Sequence, residues 1–253
     1  MTGYLEPVPG GPGAPSSELP VPARALAIGA HPDDIDFGCG ATLAKWAAGG
    51  CEVHELVLTD GSKGSWDATA DRGELVATRQ VEQRAAAGRL GAADVHFLGY
   101  VDGELASDLA ARAEVCRVIR EVRPDVVLGH DPWKQYRLHP DHRHAGLLAT
   151  EGIVAARDPH FFPEQGLAPH RPSHLLLWEA QVVDHLEDVE SWLETKLAAL
   201  FCHRSQWVST MAIGDDPSGE RATFEARIRE VAAAGGAPLG FRYAEPFKRI
   251  DRL

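Results

Sequence analysis

Two short segments carry the residue types that metal-assisted hydrolysis needs. His31-Pro32-Asp33-Asp34 and His139-Pro140-Asp141-His142 share one grammar: a histidine, a stiffening proline, an acid, and a further residue able to bind metal. A catalytic zinc usually takes three protein ligands from His, Asp, Glu and Cys and leaves the fourth position to water. In the first segment the proline stiffens the turn after His31, so that His31 and Asp34 can face one point while Asp33 stands beside it. A carboxylate next to a metal but outside its shell is placed to take a proton from the attacking water, which makes Asp33 the general base and Asp34 the anionic ligand. In the second segment one histidine can ligate while the other donates. His139, kept protonated through Asp141, would stabilise the oxyanion or protonate the departing amine. Singly, a His-Pro-Asp reads as a turn and a His-x-x-His as a surface feature. Two such segments at strand ends of one sheet are hard to explain by turn formation alone.

Those strand ends follow from the hydrophobic pattern. Apolar runs at residues 25–29, 53–58, 95–98, 126–128 and 175–178 have the length and composition of buried strands. Helices are predicted from 42–48, over 74–90 with Gly91 at the C-cap, and over 109–122, where Leu109, Ala113, Cys116, Ile119 and Val122 recur at three- and four-residue steps before Pro124. This alternation implies right-handed crossovers and an α/β, Rossmann-like fold: a mainly parallel sheet with helices on both faces. Ligands of such sheets sit outside the carboxyl ends of the strands. Polar segments lie there: residues 31–36 after the first run, 59–64 after the second, and 130–142 after the fourth.

The chain has 253 residues, 44% of them hydrophobic, enough for one sizeable core. A single domain is expected over residues 24–253, preceded by a flexible arm over 1–23 whose Pro, Gly and Ser content cannot offset the entropy of ordering it. Twenty-five Lys and Arg against 37 Asp and Glu leave a formal net charge of −12, and the resulting field opposes nucleic acid as a partner. Cys39, Cys51, Cys116 and Cys202 form no C-x-x-C pair, which argues against a zinc knuckle or redox motif and for reduced, mostly buried thiols. The N-terminal residues lack the basic start and apolar run of a signal peptide, and no later run is long enough to span a bilayer, so a cytoplasmic location is expected. Gly38-Cys39-Gly40 before a helix suggests a dinucleotide fingerprint, but Leu43 stands where the last glycine is needed.

Further segments carry a resemblance. Ala30–Asp34 runs on to Gly38-Cys-Gly-Ala-Thr-Leu43, then come Leu58-Thr-Asp-Gly61, Arg79-Gln-Val-Glu82, Leu98-Gly-Tyr-Val-Asp-Gly103 and His139–His142, in order through most of residues 25–150. The chain is thereby similar to the LmbE-like, or PIG-L, zinc-dependent N-deacetylases, which act on N-acylated amino sugars and related conjugates. The resemblance implies one zinc per chain held by His31, Asp34 and His142, with Asp33 as base, His139 as oxyanion stabiliser or acid, and Asp141 orienting His139. It also implies that Arg79 contacts the substrate and that Asp102 binds a sugar hydroxyl. Such a ligand set also accepts other divalent metals. Asp36 departs from the family's frequent glutamate and bears on support of the ligands.

Within that chemistry the substrate is an N-acylated sugar or related conjugate; the alternatives are an amidase acting on a thiol conjugate or natural-product glycoside, and a non-catalytic binding protein of the same fold. A homo-oligomer stays open. His130 and Asp131 are candidates for support behind the ligands, and His144 is expected at the surface. His203, in a segment over 196–206 that looks like a family helix, either approaches the pocket or caps a helix end, the cap being favoured. Trp66, Trp133, Tyr136 and Trp207 carry no individual assignment.

Overall fold

A computed structural model describes residues 14–214 and 217–253. The elements follow in the order β1 (Ser16–Ser17), β2 (Arg24–Gly29), α1 (Asp34–Ala48), β3 (Glu52–Thr59), α2 (Arg72–Leu90), β4 (Asp94–Tyr100), α3 (Leu109–Val122), β5 (Val126–His130), α4 (Pro140–Arg157), β6 (His174–Trp178), β7 (His185–Asp188), α5 (Leu193–Leu200), α6 (Pro217–Gly236) and β8 (Ala244–Asp251). The strands form one sheet in the order β1-β7-β8-β6-β5-β2-β3-β4. Strands β2 to β6 pair in parallel, and β8 enters antiparallel between β6 and β7. The mainly parallel, Rossmann-like sheet read from the sequence is therefore present.

Side chains alternate across a strand, so a strand covered on both faces must be apolar throughout. In β2, Ala25 and Ala27 enter a core with α1 and α2, whereas Leu26 and Ile28 enter a second core with α3 and α4. β3 repeats the division, with Val53 and Val57 on the first face and Leu56 and Leu58 on the second. Helices thus cover both faces. Each fully buries several such side chains at roughly 1.5–3 kcal/mol per large one, which is the main drive holding the layers to the sheet.

The helix ends have local causes. α2 begins at Arg72, two residues before the predicted start, because the Asp71 side chain accepts from the Glu74 N–H and caps it. Gly91 closes it in the left-handed conformation (φ 81°). The Asp108 side chain caps α3 in the same way, accepting from the Ala111 N–H. α1 starts at Asp34, earlier than predicted, and is kinked at Cys39. A Cβ at Gly38 would lie 2.5 Å from the Trp178 ring, so glycine lets this first turn press against β6.

Of the arm expected over residues 1–23, residues 1–13 lie outside the described residues. Ser16 and Ser17 form β1, paired in parallel with His185 and Leu186, and Leu19 is buried while its N–H donates to Glu187 Oε1 at 2.8 Å. Burial of Leu19 and the sheet hydrogen bonds fix what composition alone leaves unordered. All four cysteines are free, three of them buried. No helix among the described residues is long and apolar enough to cross a membrane.

Candidate active site

The chain leaves β2 toward β3 and β4 on one side, then returns to place β5 and β6 on the other. This reversal opens a crevice at the carboxyl ends of β2 and β5. His31–Asp34 follow β2, and His130 and His139–His142 end or follow β5, so the two segments singled out in the sequence meet there.

His31, Asp34 and His142 bring one ligand atom each within 4.8 Å of one another. His31 Nδ1 lies 3.2 Å from Asp34 Oδ2, and His142 Nε2 lies 3.3 Å from Asp34 Oδ1. The far nitrogen of His31, Nε2, faces Asp141 Oδ2 at 3.1 Å and Asp102 Oδ1 at 3.2 Å. With a metal bound, carboxylates on that edge would keep the proton on Nε2 and leave the Nδ1 lone pair to the ion, as second-layer acids do for metal-bound histidines. Two imidazoles and one carboxylate fit a divalent transition ion such as zinc. Two other groupings have comparable spacing, His31–His139–Asp141 and His130–His142–Glu179. They fit less well, because Asp141 already accepts from the Gly103 and Leu105 N–H groups and Glu179 is paired with Arg137.

Asp141, Asp102 and Arg79 meet partners within the protein that the sequence reading did not give them. Asp141 was expected to orient His139; its hydrogen bonds go instead to His31 and to backbone, and His139 packs edge-on against His31 with ring centroids 4.7 Å apart. Ligand atoms of His139 and Asp141 lie within 4.8 Å of each other, but the Asp141 oxygens are taken by His31 and the Gly103 and Leu105 N–H groups. The expected rise in the His139 pKa fails with it: burial pulls the imidazole below its ordinary value, His31 and His142 add to this, and Asp141 and Asp102 pull more weakly the other way. Asp102 was assigned to a sugar hydroxyl; it is buried, bonds His31, and accepts from the Lys63 N–H at 3.0 Å. Arg79 was assigned to substrate; it is 3% exposed and lies beneath the site. Its guanidinium donates to Gly61 O at 3.0 Å, to Pro32 O at 2.5 Å and to Asp33 Oδ2 at 3.3 Å.

Asp33 itself is buried beside the three-residue cluster and lines the same cavity. Burial pushes its carboxyl up from 3.8 to about 6, against the attraction of Arg79 and with the help of Asp34. A carboxylate shifted toward neutrality is suited to accept a proton near physiological pH. His130 stands behind Asp34, with Nε2 3.3 Å from Asp34 Oδ2 and Nδ1 accepting from Trp178 Nε1 at 3.0 Å. Asp131 turns away, accepting from the Trp133 and Gln181 N–H groups. His144 bonds Ser107, outside the crevice.

Gln83 and Glu55, which carry no role in the sequence reading, belong to the site's foundation, and so does His203, for which the helix cap is the favoured alternative there. His203 is fully buried, and its Nε2 meets Asp36 Oδ2 at 2.9 Å; its side chain caps no helix. Gln83 joins Asp33, Asp36 and Glu55, and Glu82 accepts from the Ser205 N–H and hydroxyl. A cavity of about 490 Å³ opens from Asp33, Asp34, His130 and His142. Its far wall is apolar, built from Phe37, Leu193, Phe224 and Ile228 among others. Trp66, Trp133 and Tyr136 are exposed on the loops after β3 and β5.

Residues 26–153 match a family model described as GlcNAc-PI de-N-acetylase, PIG-L. The chain is 36% identical over 233 residues to a diacetylchitobiose deacetylase of Thermococcus kodakarensis, covering 91% of this chain and 84% of that protein. It is 36% identical over 168 residues to a 1D-myo-inositol 2-acetamido-2-deoxy-alpha-D-glucopyranoside deacetylase of Streptomyces avermitilis, covering 56% of this chain and 57% of the other. Among solved structures, an N,N'-diacetylchitobiose deacetylase from Pyrococcus horikoshii superposes with a TM-score of 0.83 at 32% identity, over 91% of this chain and 84% of that one.

Proposed function

Since the chain belongs to the GlcNAc-PI de-N-acetylase (PIG-L) family, we propose that it is a zinc-dependent hydrolase that removes the N-acetyl group from an N-acetylglucosamine-containing small molecule. The observation that carries this reading is the convergence of His31, Asp34 and His142 with Asp33 beside them at the sheet's switch point. Zinc bound by those three residues supplies Lewis acidity for the amide carbonyl and for the attacking water.

The remaining work falls to the chain's own side chains. Asp33 accepts the proton of the water as it attacks, and Arg79 holds the carboxylate that does so. His139, which follows the loop after β5, packs against both His31 and His142. It serves as donor to the oxyanion or to the departing amine. Asp102 and Asp141 fix the tautomer of His31. The product pair is a free amine and acetate. One domain, taking in β1 and Leu19 as well as residues 24–253, and a cytoplasmic location are part of the same proposal.

The test combines metal analysis with turnover of diacetylchitobiose. About one zinc per chain is expected, removed by chelation and restored with activity. His142→Ala should lose metal and activity while staying folded. Full metal content in a folded His142→Ala would place the site elsewhere.

A further inference from the structure

Asp33 has a backbone conformation that its residue type seldom adopts. Its φ of 98° and ψ of −29° place it in left-handed space, where a Cβ is strained, and no side chain caps the helix that begins after it. Such a conformation persists only where the surroundings over-determine it. The Asp33 N–H donates to Gln83 Oε1 at 2.7 Å. The other edge of the same amide is also fixed: Gln83 Nε2 donates to Asp36 Oδ2 at 3.1 Å and to Glu55 Oε2 at 2.8 Å. His203 closes the network on Asp36 at 2.9 Å. Gln83, Asp36, Glu55 and His203 are all fully buried.

We propose that Gln83 is a positioning residue for the base: its side-chain carbonyl holds Asp33 in the left-handed conformation, and Asp36 with Glu55 holds the amide in the orientation this requires. The proposal rests on Asp33 being the base. Asp36 Oδ2 and Glu55 Oε2 both accept from the NH₂ edge of Gln83, which leaves its carbonyl edge for the Asp33 N–H. Burial and the neighbouring Asp36 push the Glu55 carboxyl well above its ordinary range, which spares the network a second full negative charge. Without the anchor, Asp33 can relax toward negative φ, which swings its Cα–Cβ bond and moves the carboxylate off the water. Arg79 grips the carboxylate itself, so the base is held at both its backbone and its side chain. Nothing in the Gln83 network lines the cavity except Asp33, so substrate contact does not explain it.

The decisive variant is Gln83→Met, similar in length and lacking the acceptor. In folded, zinc-loaded protein assayed on diacetylchitobiose, kcat should fall roughly 10–100-fold, the scale on which a displaced catalytic group acts, with KM little changed. With ¹⁵N-aspartate labelling, exchange of the Asp33 amide should quicken by about tenfold or more while amides of β2 keep their rates. Glu55→Leu should lower kcat less, and the double variant should be no worse than Gln83→Met alone, because Glu55 acts only through Gln83. Additive losses would overturn the coupling. If Gln83→Met does not fold, Glu55→Gln, which keeps an acceptor, should retain kcat while Glu55→Leu loses it; equal kcat in those two would overturn the proposal. Full kcat in Gln83→Met beside an inactive Asp33→Ala refutes the positioning role and leaves the base assignment standing. An active Asp33→Ala removes that assignment and the proposal with it.

Discussion

Removing the Arg79 guanidinium separates two roles for this residue, because contact with substrate and support of Asp33 predict different kinetics. Arg79→Met strips three hydrogen bonds at once, to Gly61 O, Pro32 O and Asp33 Oδ2. Asp33 is left as a buried carboxylate without its cation, and two carbonyls lose a charged donor. Breaking a buried pair by deleting one partner costs about 3–5 kcal/mol, and hydrogen bonds to charged groups are worth about 1.5–3 kcal/mol each. These contributions overlap at one side chain, so a total of about 4 kcal/mol is expected, a large share of the roughly 5–15 kcal/mol that holds a domain folded. Arg79→Lys keeps the charge and loses the planar fork, and should sit between the two. The assay is urea unfolding together with kcat and KM at matched zinc content. For a residue that holds the base, kcat falls roughly 10–100-fold in Arg79→Lys while KM stays near wild type. A raised KM with unchanged kcat would refute this and return Arg79 to the substrate.

Asp33→Asn should keep zinc and lose turnover by about 10²–10⁴-fold, the usual worth of general acid–base catalysis, which metal analysis and kcat together would show. Asp102→Ala should weaken zinc binding by about 10–100-fold, because Asp102 bonds His31 Nε2; a change confined to KM would instead restore the sugar contact. Acid stability is set partly far from the site, where buried Glu187 meets His185 and Lys45 at 2.9 and 2.7 Å. Burial works to raise its pKa, but His185 and Lys45 more than offset this and hold the carboxyl below its ordinary range. A depressed pKa contributes stability that is present above the unfolded value near 4.5 and is lost as pH falls through the lower folded value. Glu187→Gln should therefore lower the unfolding midpoint at pH 7 and reduce its decline between about pH 5 and 3; an unchanged acid decline would assign the loss to other carboxylates.

The central strands are visible in the sequence because strands covered on both faces must be near-continuous apolar runs. β7 and β8 are not, since HLED and AEPFKRID mix charges with few apolar residues and gain their place from pairing rather than from pattern. α1 is read only from Thr42 because Gly38, Cys39 and Gly40 are poor helix formers, and the backbone does break at Cys39. The residues of the candidate metal cluster are legible because they lie close together in two segments. Their foundation is not, although two signals are present. Glu55 shares a face with Val53 and Val57 in an otherwise apolar strand, which by the two-residue period makes it a buried acid. Arg79 and Gln83 share the inner face of α2 with Ala86, Ala87 and Leu90, where apolar residues are normal. Local spacing also misled: Asp141 is near His139 in sequence, yet the fold turns it to His31 across 110 positions.

These corrections converge on electrostatics. Asp33, Asp34, Asp36, Asp102 and Asp141 are gathered at one strand-end crevice, largely out of water, and Arg79 is the guanidinium beneath them. Burial pulls the His31 imidazole down, but hydrogen bonds to Asp102, Asp141 and Asp34 hold it well above its ordinary pKa, and Asp34 and Asp36 likewise raise His130 and His203, so the acids draw positive charge onto the rings beside them. A buried carboxylate without a counter-charge costs several kcal/mol, and imidazoles alone balance these acids only by taking up protons. A divalent cation held by His31, Asp34 and His142 would meet the same need without protonating its ligands. It follows that zinc should stabilise the fold as well as enable turnover, raising the unfolding midpoint most at pH values above the titration of the histidines, where protons no longer substitute for it.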